Sequence, residues 1–185
     1  MNRETLRRGR GYYRAGKVLW VVKRGNLLFG KVLGTYPYYV ELNLDTGDNV
    51  CTCPLGGDCK HVAAVKTAFE EGDFIETADD DTPMIVPEAV AWVHLSKDPS
   101  AALDVVMKEL LHSLNSDESG SKTAVLFLTA LKLVSITRSI ELLPKLEEVL
   151  GEYSETFSDY ELTSKLRDRF RDVLISLEER KNGEK

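Results

Sequence analysis

Glutamine is absent from this 185-residue chain, and cysteine occurs only three times, at positions 51, 53 and 59. Thiols confined to one short window exclude the disulfide framework that staples small secreted domains, and Cys51 and Cys53 stand too close for an ordinary bridge. The lack of glutamine fits a chain built for heat, although six asparagines remain. Long apolar runs are missing too. The longest, Ala124 to Ile136, is broken by Thr129, Lys132 and Ser135, and a bilayer-spanning helix needs about 20 residues. Met1 to Arg10 is basic with no apolar segment behind it, so no signal peptide is expected and the expected compartment is the cytoplasm, with no membrane contact.

What is present describes a globular chain, 43% hydrophobic and 29% charged, long enough for one or two domains with a real core. The net charge of -6 conceals two halves of opposite sign. Up to Lys66, eleven Lys or Arg face five Asp or Glu, a net of +6; the remainder carries -12. Such a split implies two surfaces with different partners and says nothing about fold.

The first part reads as β. Tyr12 to Val22 is rich in aromatic and β-branched residues, and Arg24-Gly25-Asn26 offers a turn before Leu27 to Leu33. Tyr38, Val40, Leu42 and Leu44 alternate with polar neighbours, the period of a half-buried strand, and Thr46-Gly47-Asp48 turns the chain into Asn49 to Cys53. A helix is expected from about Lys60 to Glu71, capped by Asp58, with Val62, Val65 and Phe69 on one face.

Gly72 to Pro83, with its Asp79-Asp80-Asp81 run, is the expected linker. Beyond it the pattern is helical. Ser100 to Leu114 carries an apolar stripe, Ala124 to Ile136 is apolar on nearly all sides and is expected as a buried central helix, and Pro144 starts or breaks a shorter one. A last helix, about Ser158 to Arg180, puts Leu162, Leu166, Phe170, Val173, Leu174 and Leu177 at core spacing.

The chemistry-bearing stretch is Cys51-Thr-Cys53-Pro-Leu-Gly-Gly-Asp-Cys59-Lys-His61. Three thiolates and one imidazole form a common closed tetrahedral set for zinc. Cys51 and Cys53 leave the end of a strand, Pro54 and Gly56-Gly57 supply the bend, and Cys59 and His61 arrive at a helix start, which favours thiolate. The competing readings are small buried cysteines beside an incidental histidine, or a redox pair; four clustered ligands without an evident resolving thiol weigh against the second. His94 and His112 stand alone, without nearby cysteines, and read as structural.

C-x-C, a short spacer and C-x-H together resemble the SWIM zinc finger. Arg10 to Val18, Tyr36-Pro37-Tyr38 to Leu44, Cys-Thr-Cys-Pro and the Cys-Lys-His-Val start of an alanine-rich helix are similar as well, so the likeness covers about residues 7 to 71. The five-residue spacer, Pro54 to Asp58, is short for that family. The resemblance implies a DNA-binding or protein-interaction module, several of whose members act beside ATPases related to RecA. Four protein ligands leave no open position for water and the motif has no glutamate placed as a general base, so no turnover is expected.

The expected fold is α+β: a small antiparallel β-meander with a zinc-bound helix over residues 1–71, an acidic linker over 72–83, and an α-helical region over 84–185. One structural zinc is expected on Cys51, Cys53, Cys59 and His61, with no catalytic residues. Nucleic-acid contact is expected through Arg7, Arg8, Arg10, Arg14, Lys17, Lys23 and Arg24, with Tyr12, Tyr13 and Trp20 as stacking candidates or simply core residues. The expected function is thus a zinc-stabilised, non-catalytic adaptor that contacts nucleic acid, DNA or RNA, through its basic N-terminal part, with DNA recombination or repair as the expected setting. The alternative is a protein scaffold for a RecA-like ATPase, docked through the acidic helical part without nucleic acid.

Overall fold

The computed structural model describes residues 1–77, 98–157 and 159–183, which fall into two compact units, Met1–Ala101 and Ala102–Lys185. His94 and the Asp79-Asp80-Asp81 run lie outside the described residues.

The first unit opens with a helix, α1 (Arg3–Arg14), where the sequence pattern predicts the beginning of a strand. Asn2 caps it by accepting from the Thr5 amide at 2.8 Å, and Glu4 bonds Arg7 one turn on. Tyr12 and Tyr13 are therefore helical, and the strand begins later, as β1 (Val18–Arg24). β2 (Leu27–Leu33), β3 (Pro37–Asn43) and β4 (Asn49–Cys51) continue the expected antiparallel meander. After α2 (Lys60–Glu70) comes a two-residue strand, β5 (Ile75–Glu76), which pairs parallel to β1 and completes the order β4-β3-β2-β1-β5. The expected linker over 72–83 thus begins inside the sheet.

One row of residues explains how the sheet holds the helix. Val21 pairs with Gly30, Gly30 with Val40, and Val40 with Cys51, so all four share a face across four strands. α2 lies on that face with Val65 directly over Gly30, where a Cβ would come within 2.3 Å of a Val65 methyl. The missing side chain on β2 is what lets the helix approach. The same device joins the helices: a Cβ on Gly9 of α1 would stand 2.3 Å from that of Ala63 on α2. Val21, Leu28, Val32, Val40, Val62 and Val65 form the core beneath α2. On the opposite face Trp20 is buried, and the Lys31 ammonium lies over the Tyr39 ring.

The second unit contains most of α3 (Pro99–Leu114) together with α4 (Ser121–Thr137), α5 (Leu143–Thr156) and α6 (Tyr160–Gly183). Pro144 sits in the first turn of α5 and starts that helix. Phe127, Leu131, Leu146, Tyr153, Leu166 and Phe170 anchor its core. The first turn of α4 is held from outside: the Asp117 carboxylate accepts from the Thr123 amide and hydroxyl, and from Ser119. His112 falls in the last turn of α3.

α4 is not buried all round. It packs against α5 and α6, and Val125 and Ile136, at 64% and 54% exposed, lie on the stripe those helices leave uncovered.

Candidate metal centre

Cys51 ends β4, and a tight reversal brings Cys53 back beside it: the Cys51 amide donates to the Gly56 carbonyl at 2.7 Å, and the Gly56 amide to that of Cys53 at 2.9 Å. Gly56 occupies the left-handed region with φ of 72°, which this bend requires. A clasp closes the loop. The Asp58 amide donates to the Asn49 side-chain oxygen at 2.7 Å, and the Asn49 amide nitrogen donates to the Asp58 carboxylate at 3.2 Å. Asp58 itself is left-handed, with φ of 45°, and does not cap α2 as the sequence suggested. The capping position belongs to Cys59, which places its sulfur at the helix start and His61 in the first turn.

All four side chains converge. Their ligand atoms lie within 4.8 Å of one another, and every one of the residues is buried. His61 turns Nδ1 toward the sulfurs, 3.8 Å from that of Cys51 and 3.7 Å from that of Cys59. A tetrahedron with zinc–sulfur bonds of about 2.3 Å and a zinc–nitrogen bond of about 2.0 Å has edges of roughly 3.5–3.8 Å, so Nδ1 already sits at ligand spacing from the Cys51 and Cys59 sulfurs. The opposite ring nitrogen, Nε2, is buried without a hydrogen-bond partner.

The thiols are mutually perturbed. A hydrogen bond between Cys51 and Cys59 raises the first and lowers the second; burial adds to the rise at Cys51, while His61 and the Val62 amide lower Cys59 further. A divalent cation held by these residues would take the place of the shared proton and favour the thiolate form of both sulfurs.

Two aromatic rings hold the imidazole. Tyr38 of β3 stacks on His61 with centroids 4.5 Å apart, and Tyr12 of α1 meets it edge-on at 5.5 Å. The sequence offered Tyr12 as a stacking candidate, Tyr38 as a strand residue and Asp58 as a helix cap, and gave no sign of the contacts with His61 or of the clasp with Asn49.

Residues 39–70 match the SWIM zinc finger. The SWIM stretch begins in β3 and ends with the last residue of α2, so it contains all four ligands. The match and the cluster together support one structural zinc ion, bound by a chain whose SWIM part is a binding module. An uncharacterized protein of Methanocaldococcus jannaschii is 35% identical over 77 residues, which cover 41% of this chain and 33% of that protein. The chain thus aligns with about a third of the length of the curated relative it matches. No solved structure matches. Among the described residues, no helix is long and apolar enough to cross a membrane.

The basic residues proposed for nucleic acid do not form one cluster. Arg7, Arg8, Arg10 and Arg14 are exposed on α1, and Lys17 is exposed just beyond it. Lys23 is ion-paired with Glu76, and Arg24 is buried at 8% exposure. Of the stacking candidates, Trp20 is buried and Tyr12 is occupied by His61.

Proposed function

We propose that this protein is a zinc-stabilised, non-catalytic adaptor whose SWIM unit contacts nucleic acid through α1, in DNA recombination or repair in the cytoplasm. The observation that carries the reading is the arginine stripe of α1. At 100° per residue, positions 3, 7, 10 and 14 fall on one side of the helix, and arginine occupies all four. Gly9 packs α1 tightly onto α2, so the stripe is mounted on the zinc-bound helix.

Four buried protein ligands fill a zinc shell and leave no position for water, which favours a structural metal over a catalytic one. The test is binding of labelled single- and double-stranded DNA across a salt series. Affinity should fall steeply with salt, and Arg10→Gln with Arg14→Gln should make the slope shallower by about 0.7–0.9 for each phosphate no longer neutralised. Salt-independent binding, or none, defeats the reading.

A second reading, a scaffold for a RecA-like ATPase or another basic protein, draws on the net -12 beyond Lys66 and on the exposed Val125 and Ile136 of α4. On this reading the chain makes no direct contact with nucleic acid, so the wild type should bind no DNA at any salt concentration, and Val125→Lys with Ile136→Lys would abolish co-purification of such a partner.

A further inference from the structure

A cleft beside the zinc ligands is not accounted for by the metal. Thr5, Arg8 and Tyr12 of α1, Thr35, and Lys60 at the start of α2 line a cavity of about 280 Å3 together with ligand residues. That volume is at the small end of ligand sites and suits a phosphoryl group with its sugar better than a large cofactor. Helical geometry explains Arg8: it sits 100° around α1 from Arg7, off the arginine stripe, and lines the cleft instead.

The charge here is one-sided. Lys17 and Lys60 both place their ammonium groups over the Tyr12 ring, at 4.8 and 4.4 Å from its centre. The cleft lining includes no Asp or Glu, and among the described residues neither Arg8 nor Lys60 forms an ion pair. Three thiolates on a divalent zinc leave one net negative charge. Arg8, Lys17 and Lys60 bring three positive ones, a surplus of about two that an anion would relieve.

We propose that this cleft seats a backbone phosphate of single-stranded nucleic acid, gripped by Arg8 and Lys60 with the hydroxyls of Thr5 and Thr35 completing the contacts. The proposal rests on the nucleic-acid reading above and assigns it a specific pocket. A single strand is favoured because Leu55, which lines the cleft, and Tyr36, which follows Thr35, are 76% and 69% exposed, offering apolar faces to unstacked bases.

The experiment uses the full-length, zinc-loaded protein and a labelled oligothymidylate, read by anisotropy across a salt series. Arg8→Gln with Lys60→Gln should weaken binding about tenfold at low salt and make the log–log slope shallower by about 0.7 for each phosphate left without its cation. Zinc content and Tm should stay at wild-type values. Thr35→Glu, which puts a carboxylate into the cleft while keeping both cations, should weaken binding at least as much. Lys66→Gln with Lys145→Gln removes the same charge elsewhere and should have little effect. If the cleft variants bind no worse than this control while the wild type binds well, the pocket assignment is overturned and the α1 reading stands. If the wild type does not bind the oligonucleotide at all, the nucleic-acid reading falls and this proposal with it. Release of the oligonucleotide by millimolar inorganic phosphate at matched ionic strength would identify free phosphate as the ligand and overturn the backbone assignment.

Discussion

Tyr38 stacks on His61 at 4.5 Å with the two rings 29° apart, so a strand of the sheet fixes the orientation of a zinc ligand on the helix. A ring held this way presents Nδ1 to the sulfurs without first giving up rotational freedom. Tyr38→Ala removes the stacking and the apolar cover together, and should lower stability by about 1–2 kcal/mol. Metal competition with a chromogenic chelator should show weaker zinc binding, and Tyr38→Phe should restore both properties.

Removal of zinc should unfold one unit and spare the other. Cys51 belongs to the same sheet row as Val21, Gly30 and Val40, so loss of the metal loosens the packing beneath α2. Cys59→Ser, or a strong chelator, should abolish stoichiometric zinc and the tertiary signal of Trp20, while most helical ellipticity from the second unit persists. An unchanged melting profile would refute the structural role of the metal.

Gly30→Val should be among the most damaging single changes in the SWIM unit. The new Cβ would collide with Val65 at 2.3 Å, in a core that has no room to yield. Overpacking of this kind costs about 1–3 kcal/mol, measurable as a drop in the denaturant midpoint. Gly30→Val combined with Val65→Ala should recover part of the loss.

Asp117 makes the stability of the helical unit sensitive to acid. Desolvation raises its carboxyl, but hydrogen bonds from the Thr123 amide and hydroxyl and from Ser119 outweigh that and hold it below the usual carboxylate value. Its contribution is therefore full above the unfolded-state value, near 4, and is lost as pH falls through the lower folded-state value. Asp117→Ala should cost about 1 kcal/mol at neutral pH and progressively less in acid, as read by urea denaturation across a pH series.

The sequence announced the metal site more clearly than the structure around it. Every cysteine lies in one window with a histidine two residues beyond, and that pattern needs no tertiary context. The α1 helix was hidden because Gly9 and Gly11 weaken helical propensity and Tyr12-Tyr13 lead straight into a β-branched run. Only the close approach to Ala63 gives Gly9 its purpose, and that approach joins residues far apart in the chain. Asp58 looked like a helix cap from its position, yet Asn49 draws it into the left-handed region and leaves the cap to Cys59. β5 escaped notice because two residues of parallel pairing leave no periodicity to read. The uncovered side of α4 was equally invisible, since a run apolar on all sides carries no mark of which side its neighbours will take.

The strand order gives the SWIM unit two ends. β4, which ends in Cys51, is one edge of the sheet, and β5, from which the chain runs onward, is the other. Four strand spacings of about 4.8 Å separate them, roughly 19 Å. The metal and the last described strand thus sit at opposite edges of the sheet, like the point and the eye of a hook, with Cys51 at one and Glu76 at the other.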